Sequence, residues 1–208
     1  MLSNNRKPLL VCGSGRTLFP DLRSLWYELG PPGDHGSIQT RLHEQFDIMA
    51  INDAFLALPH VHFLASYHDE LIWSWLMLRG PREYVNGEYK TTWRGVTYSQ
   101  RRNKGVKQVR IMEDGGGSSS FYGVEIGLEE GYERVILCGV PFDTNGRFYQ
   151  APWMHGHNYA ATDGWEAWVK AKQSGKFKNV RSMSGATAEL LGKPDEAWLW
   201  QSFNDTTD

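Results

Sequence analysis

Apolar residues along this chain gather in short runs: Leu9 to Cys12, Ile48 to Ile51, Val61 to Ala65, Val109 to Met112, Val135 to Cys138, and a weaker one at Val180 to Met183. The first five soon meet Gly, Asn, Asp or Ser, residues that turn a chain out of a strand. Longer mixed stretches lie between them, and their spacing predicts helices over Thr17 to Leu29, Glu70 to Arg79, Ser119 to Glu130 and Thr162 to Lys172. In the last of these, Trp165, Trp168 and Val169 fall at i, i+3 and i+4, which makes one apolar face. Short apolar runs alternating with helical stretches predict an α/β domain, a mainly parallel sheet with helices on both faces.

Residues 81–108 break this rhythm. Tyr84 to Tyr89 predicts a β-hairpin turning on Asn86-Gly87, a dipeptide that tolerates positive φ at both central positions. The stretch reads as a hairpin insertion on the sheet, and it concentrates positive charge. Arg79, Arg82, Lys90, Arg94, Arg101, Arg102, Lys104, Lys107 and Arg110 stand against Glu83 and Glu88, with Trp93 and Tyr98 interleaved. Such a segment is either a solvated loop and hairpin or a lid that meets a phosphate-rich ligand.

Composition narrows the classes. With 208 residues and 40% hydrophobic content the chain can bury one substantial core, so residues 1–208 are expected to form a single domain. A formal net charge of -2 gives no general reason to expect nucleic-acid binding. Cys12 and Cys138 both lie in apolar runs, which supports neither a disulfide framework nor a zinc knuckle and fits a reducing, cytoplasmic setting. The first apolar run is too short for a signal-peptide core, and no segment reaches membrane-spanning length.

The candidate chemistry sits where strands end, because ligands of open α/β sheets bind outside the carboxyl ends of the strands. Gly13-Ser14-Gly15 follows the first run and precedes a helix; such a turn either lets a phosphate approach or serves strand-to-helix geometry alone. Asn52-Asp53 closes the second run, where Asn52 either presents a donor and an acceptor to a ligand or makes an Asx turn. His68-Asp69-Glu70 ends the third, with Asp69 expected to cap a helix. Gly115 to Ser120, with Ser118, Ser119 and Ser120 at a helix start, offers a seat for an oxyanion or phosphate, yet lacks the lysine of a P-loop, which argues against a Walker-type ATPase. Residues 141–160 read as a lid loop carrying Asp143, Tyr149, His155 and His157. The two histidines fit general acid/base work, a metal site with Asp163 or Asp143, or plain surface positions.

These segments resemble a family. Ser118-Ser119-Ser120, the ten residues after them, and GYERVILCGVPFDTNGRFY at 131–149 align without a gap with the Thr-Ser-Gly and GYKEIYLSGIDFYQNGSSY pattern of the single-domain bacterial sialyltransferases typified by the Campylobacter lipooligosaccharide enzymes. Around that family stand Rossmann-like proteins of the pterin-pyrophosphokinase-like group. Gly13-Ser14-Gly15 is similar to its GNG turn, Asn52 falls in its Cys-Asn-Gln-Phe segment, and Gly156-His157 is similar to a Gly-His of its lid. The resemblance implies a Rossmann-like fold, a CMP-activated sugar acid as donor, no metal, His157 as base toward the acceptor hydroxyl, and Tyr149 on the departing phosphate. It also implies that Ser14, Asn52 and Ser119 contact nucleotide or sugar. The chain departs from the pattern at Asp143, where a second tyrosine is expected, at Gly116, where an arginine is, and at Ser14, which replaces an Asn. A carboxylate facing a phosphate repels it, so the expected donor carries a nucleotide-linked group other than sialic acid.

The leading expectation is a metal-independent, glycosyltransferase-like enzyme that moves a group from a nucleotide-activated sugar to an acceptor hydroxyl. The nucleotide site would comprise Gly13, Ser14, Gly15, Asn52, Ser118, Ser119, Ser120 and Asp143; His157, Tyr149 and His155 would form the catalytic set. Two alternatives stand beside it: a Mg²⁺-dependent phosphoryl or pyrophosphoryl transferase with Asp143 on the metal, and a nucleotide-binding protein without catalysis. The acceptor stays open among glycan, small molecule and DNA, and so does the oligomeric state.

Overall fold

A computed structural model of the chain describes residues 7–29, 38–80, 82–85, 88–91, 93–101, 108–109, 118–151 and 163–200. Its strands are β1 (Leu9–Cys12), β2 (Asp47–Ile51), β3 (Phe63–Ser66), β4 (Arg82–Val85), β5 (Glu88–Thr91), β6 (Val96–Ser99), β7 (Gln108–Val109), β8 (Val135–Cys138) and β9 (Val180–Ser182). Its helices are α1 (Leu18–Leu29), α2 (Ile38–Gln45), α3 (Ala54–Ala57), α4 (Asp69–Arg79), α5 (Ser119–Glu129), α6 (Asp163–Gln173), α7 (Gly185–Leu191) and α8 (Glu196–Trp200).

A strand covered on both faces must be apolar at every position. That holds for β1 and β8, whose residues are all fully buried and pair in parallel, Leu9 with Val135 through Cys12 with Cys138. Alternate side chains then feed two cores. Leu10, Cys12, Ile136 and Cys138 pack with Leu18, Leu22 and Leu25 of α1 and with Phe55, Trp75 and Leu199. Leu9, Val11, Val135 and Leu137 pack on the other face with Phe121, Val124 and Ile126 of α5 and with Trp168 of α6. Helix α5 lies close to the sheet because Gly123 faces it: a Cβ there would stand 2.5 Å from Ile51 Cδ1.

The seven main strands run in the order β7-β6-β3-β2-β1-β8-β9, and every pairing is parallel. This is the α/β sheet with helices on both faces that the alternation predicted. One expectation needs correction: residues 81–108 are not wholly an insertion. The antiparallel hairpin β4-β5 is there, with Tyr84 opposite Tyr89, as a two-stranded sheet of its own. Beyond it β6 returns to the main sheet beside β3. Strand β6 escaped notice because two of its buried residues, Thr97 and Ser99, are polar; Thr97 receives a 3.3 Å hydrogen bond from Trp93 Nε1, and Ser99 donates to Asp69. Asp69 is thereby occupied as the first residue of α4, and the position before it, His68, makes no side-chain cap. Arg79, counted with the basic patch, is structural: it donates to Phe55 and Pro59 carbonyls and stacks on Phe55 at 4.4 Å.

Candidate functional site

Chain order runs outward from β1 in both directions, and the helices that follow β1 and β8 pack on opposite faces of the sheet, the arrangement that forms a crevice at the carboxyl ends of open α/β sheets. A cleft of about 660 Å³ opens there. Its walls include the Gly13–Gly15 turn, Asn52, Ser118 to Ser120, Asp143 and Tyr149, so the residues expected at the nucleotide site share one cavity with Tyr149, whereas Asp53, Asp69 and Glu70 do not line it. His155, His157 and Asp163's side chain lie outside the described residues, as does the Gly115 to Gly117 segment.

The first turn is built by close backbone packing. Gly13 N donates to Cys138 O at 2.8 Å, Gly15 N to Gly139 O at 2.9 Å, and Arg16 N to Gly146 O at 3.1 Å. A Cβ on Gly13 or Gly15 would come within 2.6 Å of Gly139 O. The glycines are therefore required by the neighbouring loop, and those amides are spent on it, which differs from an amide cradle for phosphate. Residues 146–151 lie across the same turn: Phe148 N donates to Ser14 O at 3.0 Å, and Arg16 Nη2 donates to Ala151 O at 2.9 Å.

Beneath both loops sits Asp21, a carboxylate on the apolar face of α1 and 5% exposed. Its Oδ2 accepts from Gly139 N at 2.8 Å and Thr17 Oγ1 at 3.0 Å, and Ser184 Oγ lies 2.8 Å away. Burial raises its pKa above the usual carboxylate value, against the lowering effect of those hydrogen bonds. The sequence reading missed Asp21, although its place among Leu18, Leu22 and Leu25 put a charge on a buried helix face.

Asn52 holds φ 55, a left-handed conformation that Asn tolerates well, and its Oδ1 accepts from Ser66 Oγ at 2.6 Å. Its amide NH2 has no partner among the described residues and borders the cleft. The three serines divide their work. Ser118 caps α5 by accepting from Phe121 N at 3.2 Å, and Ser119 Oγ accepts from Tyr67 N at 3.3 Å. The Ser120 hydroxyl bonds nothing among the described residues. The start of an 11-residue helix thus meets the cleft, with its partial positive charge. Tyr67, also in the wall, stacks on Tyr122 at 4.9 Å, and burial with nearby Glu125 pushes its phenol pKa well up.

On the opposite wall Phe142 adopts φ 52, rare for a bulky residue, and is held there by burial against Trp165 and Trp168, ring centroids 5.4 and 5.7 Å away. Asp143 follows, and both its oxygens accept from Asn145, at 3.0 Å from the backbone N and 2.7 Å from Nδ2. Its carboxylate closes a turn, and it is the sole acidic residue lining the cleft among those described. Among the described residues no three His, Cys, Asp or Glu side chains gather to hold a metal ion.

A charged cluster that the sequence reading did not assemble completes the mouth. Arg147 Nη1 lies 2.5 Å from Asp53 Oδ2 and 2.7 Å from Tyr149 OH, and the Tyr149 hydroxyl donates to the same Asp53 oxygen. Burial disfavours the charge on Arg147, but the Tyr149 hydroxyl and Asp53 outweigh it and raise the pKa. Burial, then the bond to Asp53, raises that of Tyr149. Asp53 precedes α3 without capping it through its side chain; its carboxylate reaches 94 residues along the chain instead. Such pairing is a product of the fold and carries no signal at that separation.

Taken together, these features define an open parallel α/β domain with a polar cleft at its topological switch point. The fold is similar to that of the sialyltransferase CstII from Campylobacter jejuni. Its complex with a substrate analogue, CMP-3FNeuAc, superposes with a TM-score of 0.50 at 13% identity, covering 91% of this chain and 87% of that one. A second CstII complex, with cytidine-5'-monophosphate, gives 0.43 at 13% identity over 91% and 86%. No protein-family model and no curated protein matches the sequence. No helix among the described residues is long and apolar enough to cross a membrane.

Proposed function

We propose that this chain is a metal-independent, glycosyltransferase-like enzyme acting on a nucleotide-activated sugar. The observation that carries the reading is the convergence of the Gly13–Gly15 turn, Asn52, the Ser118–Ser120 helix start and Tyr149 on one cleft at the carboxyl ends of β1 and β8. The similarity of the fold to that of a sialyltransferase whose structure holds the substrate analogue CMP-3FNeuAc supports it. The nucleotide lies over the sheet edge; the amides and partial charge at the start of α5 receive the leaving phosphate, with Tyr149 set at the rim of that site. His157 takes the proton of the acceptor hydroxyl as that oxygen attacks the sugar carbon. The carbon–oxygen bond to phosphate breaks, the electron pair leaves with the nucleotide, and direct displacement inverts the sugar carbon.

The test is release of free nucleotide from a panel of nucleoside mono- and diphosphate sugars, with candidate acceptors and with EDTA present. His157→Ala should lower turnover by about 10²- to 10⁴-fold, the worth of a general base, while nucleotide affinity stays within about threefold. Turnover unchanged in that variant refutes His157 as base. Strict dependence on Mg²⁺ would instead sustain a phosphoryl or pyrophosphoryl transferase.

A further inference from the structure

The cluster at the cleft mouth assigns its donors unevenly. Tyr149 has one hydroxyl proton, and Asp53 Oδ2 takes it; the hydroxyl's acceptor side is filled by Arg147 Nη1. In this arrangement the phenol has no proton left to give a phosphate. Arg147 is different. Its contacts to Asp53 and Tyr149 both use Nη1, and its Nε and Nη2 bond nothing among the described residues. Those two groups form one edge of a planar fork whose geometry matches two phosphate oxygens. The side chain is 39% exposed and lines the cleft. It is also the sole arginine or lysine among the described residues in that wall.

We propose that Arg147, seated on Asp53, is the residue that receives the anionic phosphate of the ligand, and that Tyr149 acts through Arg147 as a positioning residue. Asp53 fixes the guanidinium through Nη1 and leaves the Nε/Nη2 edge for the incoming oxygens. A carboxylate at one edge and a phosphate at the other divide a single cation between them, so the ligand need not displace the internal partner. The proposal rests on the transferase reading only in taking the phosphate to be a nucleotide's.

Binding of CMP, UMP, AMP and GMP, of the matching nucleosides, and of inorganic phosphate and pyrophosphate is measured by calorimetry on the wild type, Arg147→Gln, Arg147→Lys and Tyr149→Phe. The unliganded melting temperature of each serves as a folding check. For the tightest monophosphate, Arg147→Gln should weaken binding about tenfold to a hundredfold, the loss expected of two charge-assisted hydrogen bonds, with nucleoside binding unchanged. Arg147→Lys keeps the charge without the fork and should recover part of the loss; Tyr149→Phe should cost less than Arg147→Gln. Monophosphate affinity within twofold of wild type in Arg147→Gln, or a larger loss in Tyr149→Phe, overturns the proposal and leaves the transferase reading standing. Binding of phosphate or pyrophosphate that needs Arg147, without binding of any nucleotide, sustains the anion site and removes the nucleotide reading. If no anion binds the wild type, both fall.

Discussion

Asp21→Ala removes the one acceptor that ties three chain segments together under the cleft. The Gly139 amide that points at Oδ2 from 2.8 Å is buried and cannot turn elsewhere, so it is left unsatisfied. An orphaned buried donor costs about 1–3 kcal/mol. The Thr17 and Ser184 hydroxyls lie 2.8 Å apart and keep each other, so they lose less, about 1 kcal/mol together. The expected loss is about 3 kcal/mol, which for a chain of this length lowers the melting temperature by about 6–12 °C. Asp21→Asn keeps an oxygen for Gly139 N and should lose about half as much. It also sets a pH test. Because burial raises the folded-state pKa of Asp21 above the ordinary carboxylate value of 3.8 that holds in the unfolded chain, the folded protein binds that proton more tightly, and the group's stabilising contribution is fully present below pH 3.8 and lost as pH rises through the folded pKa. The stability gap between wild type and Asp21→Asn should therefore widen as pH falls from 7 toward 4, other groups cancelling in the difference. Urea unfolding at several pH values measures it. An Asp21→Ala variant within about 0.5 kcal/mol of wild type, or a gap that narrows on acidification, refutes the reasoning.

Two further outcomes are expected. Gly15→Ala should cost about 1–3 kcal/mol, because its Cβ would stand 2.6 Å from both Gly139 O and Pro141 Cδ, with backbone on one side and a ring on the other; an unchanged urea midpoint would mean the two loops do not pack this closely. His62 Nδ1 accepts from Ile48 N at 2.9 Å, and burial lowers the imidazole pKa, against the raising effect of Asp47. A depressed imidazole pKa means the unfolded chain binds the proton more tightly, so stability should fall as pH drops below about 6.5. His62→Asn, which can still offer an oxygen to Ile48 N, should flatten that loss; an identical pH profile would show that His62 does not carry it.

The strands most legible in the sequence were those whose residues are apolar at every position or at all but one end. The apolar runs Leu9 to Cys12 and Val135 to Cys138 became β1 and β8 outright, and Ile48 to Ile51 and the Phe63 to Ala65 part of the third run became most of β2 and β3, because strands buried on both faces are apolar at nearly every position. The hairpin was legible for a local reason as well, since Asn-Gly specifies its own turn. Strand β6 was not, since Thr97 and Ser99 are buried only by virtue of Trp93 and Asp69, partners chosen in three dimensions. The short helices α3, α7 and α8 were missed because so few residues show no period; they are held by what they pack against.

For the site the same division holds. Composition and local order fixed which turns would stand at the strand ends: the Gly-Ser-Gly, Asn-Asp, triple-serine and Asp-Thr-Asn-Gly segments all sit where a chain leaving a parallel strand must bend. Their use could not be read there. The Gly13 and Gly15 amides go to the end of β8 and the residue after it rather than outward, Ser118 and Ser119 accept backbone N–H groups of the wall, and Asp143 closes its own turn. Asp53, Arg147 and Tyr149 become one charged unit only because the fold brings β2 and the loop after β8 to the same edge. Hydrophobic periodicity is a property of neighbours in sequence, and so it survives in the bare chain; the partner of a polar side chain is a property of neighbours in space, which come into being when the sheet closes.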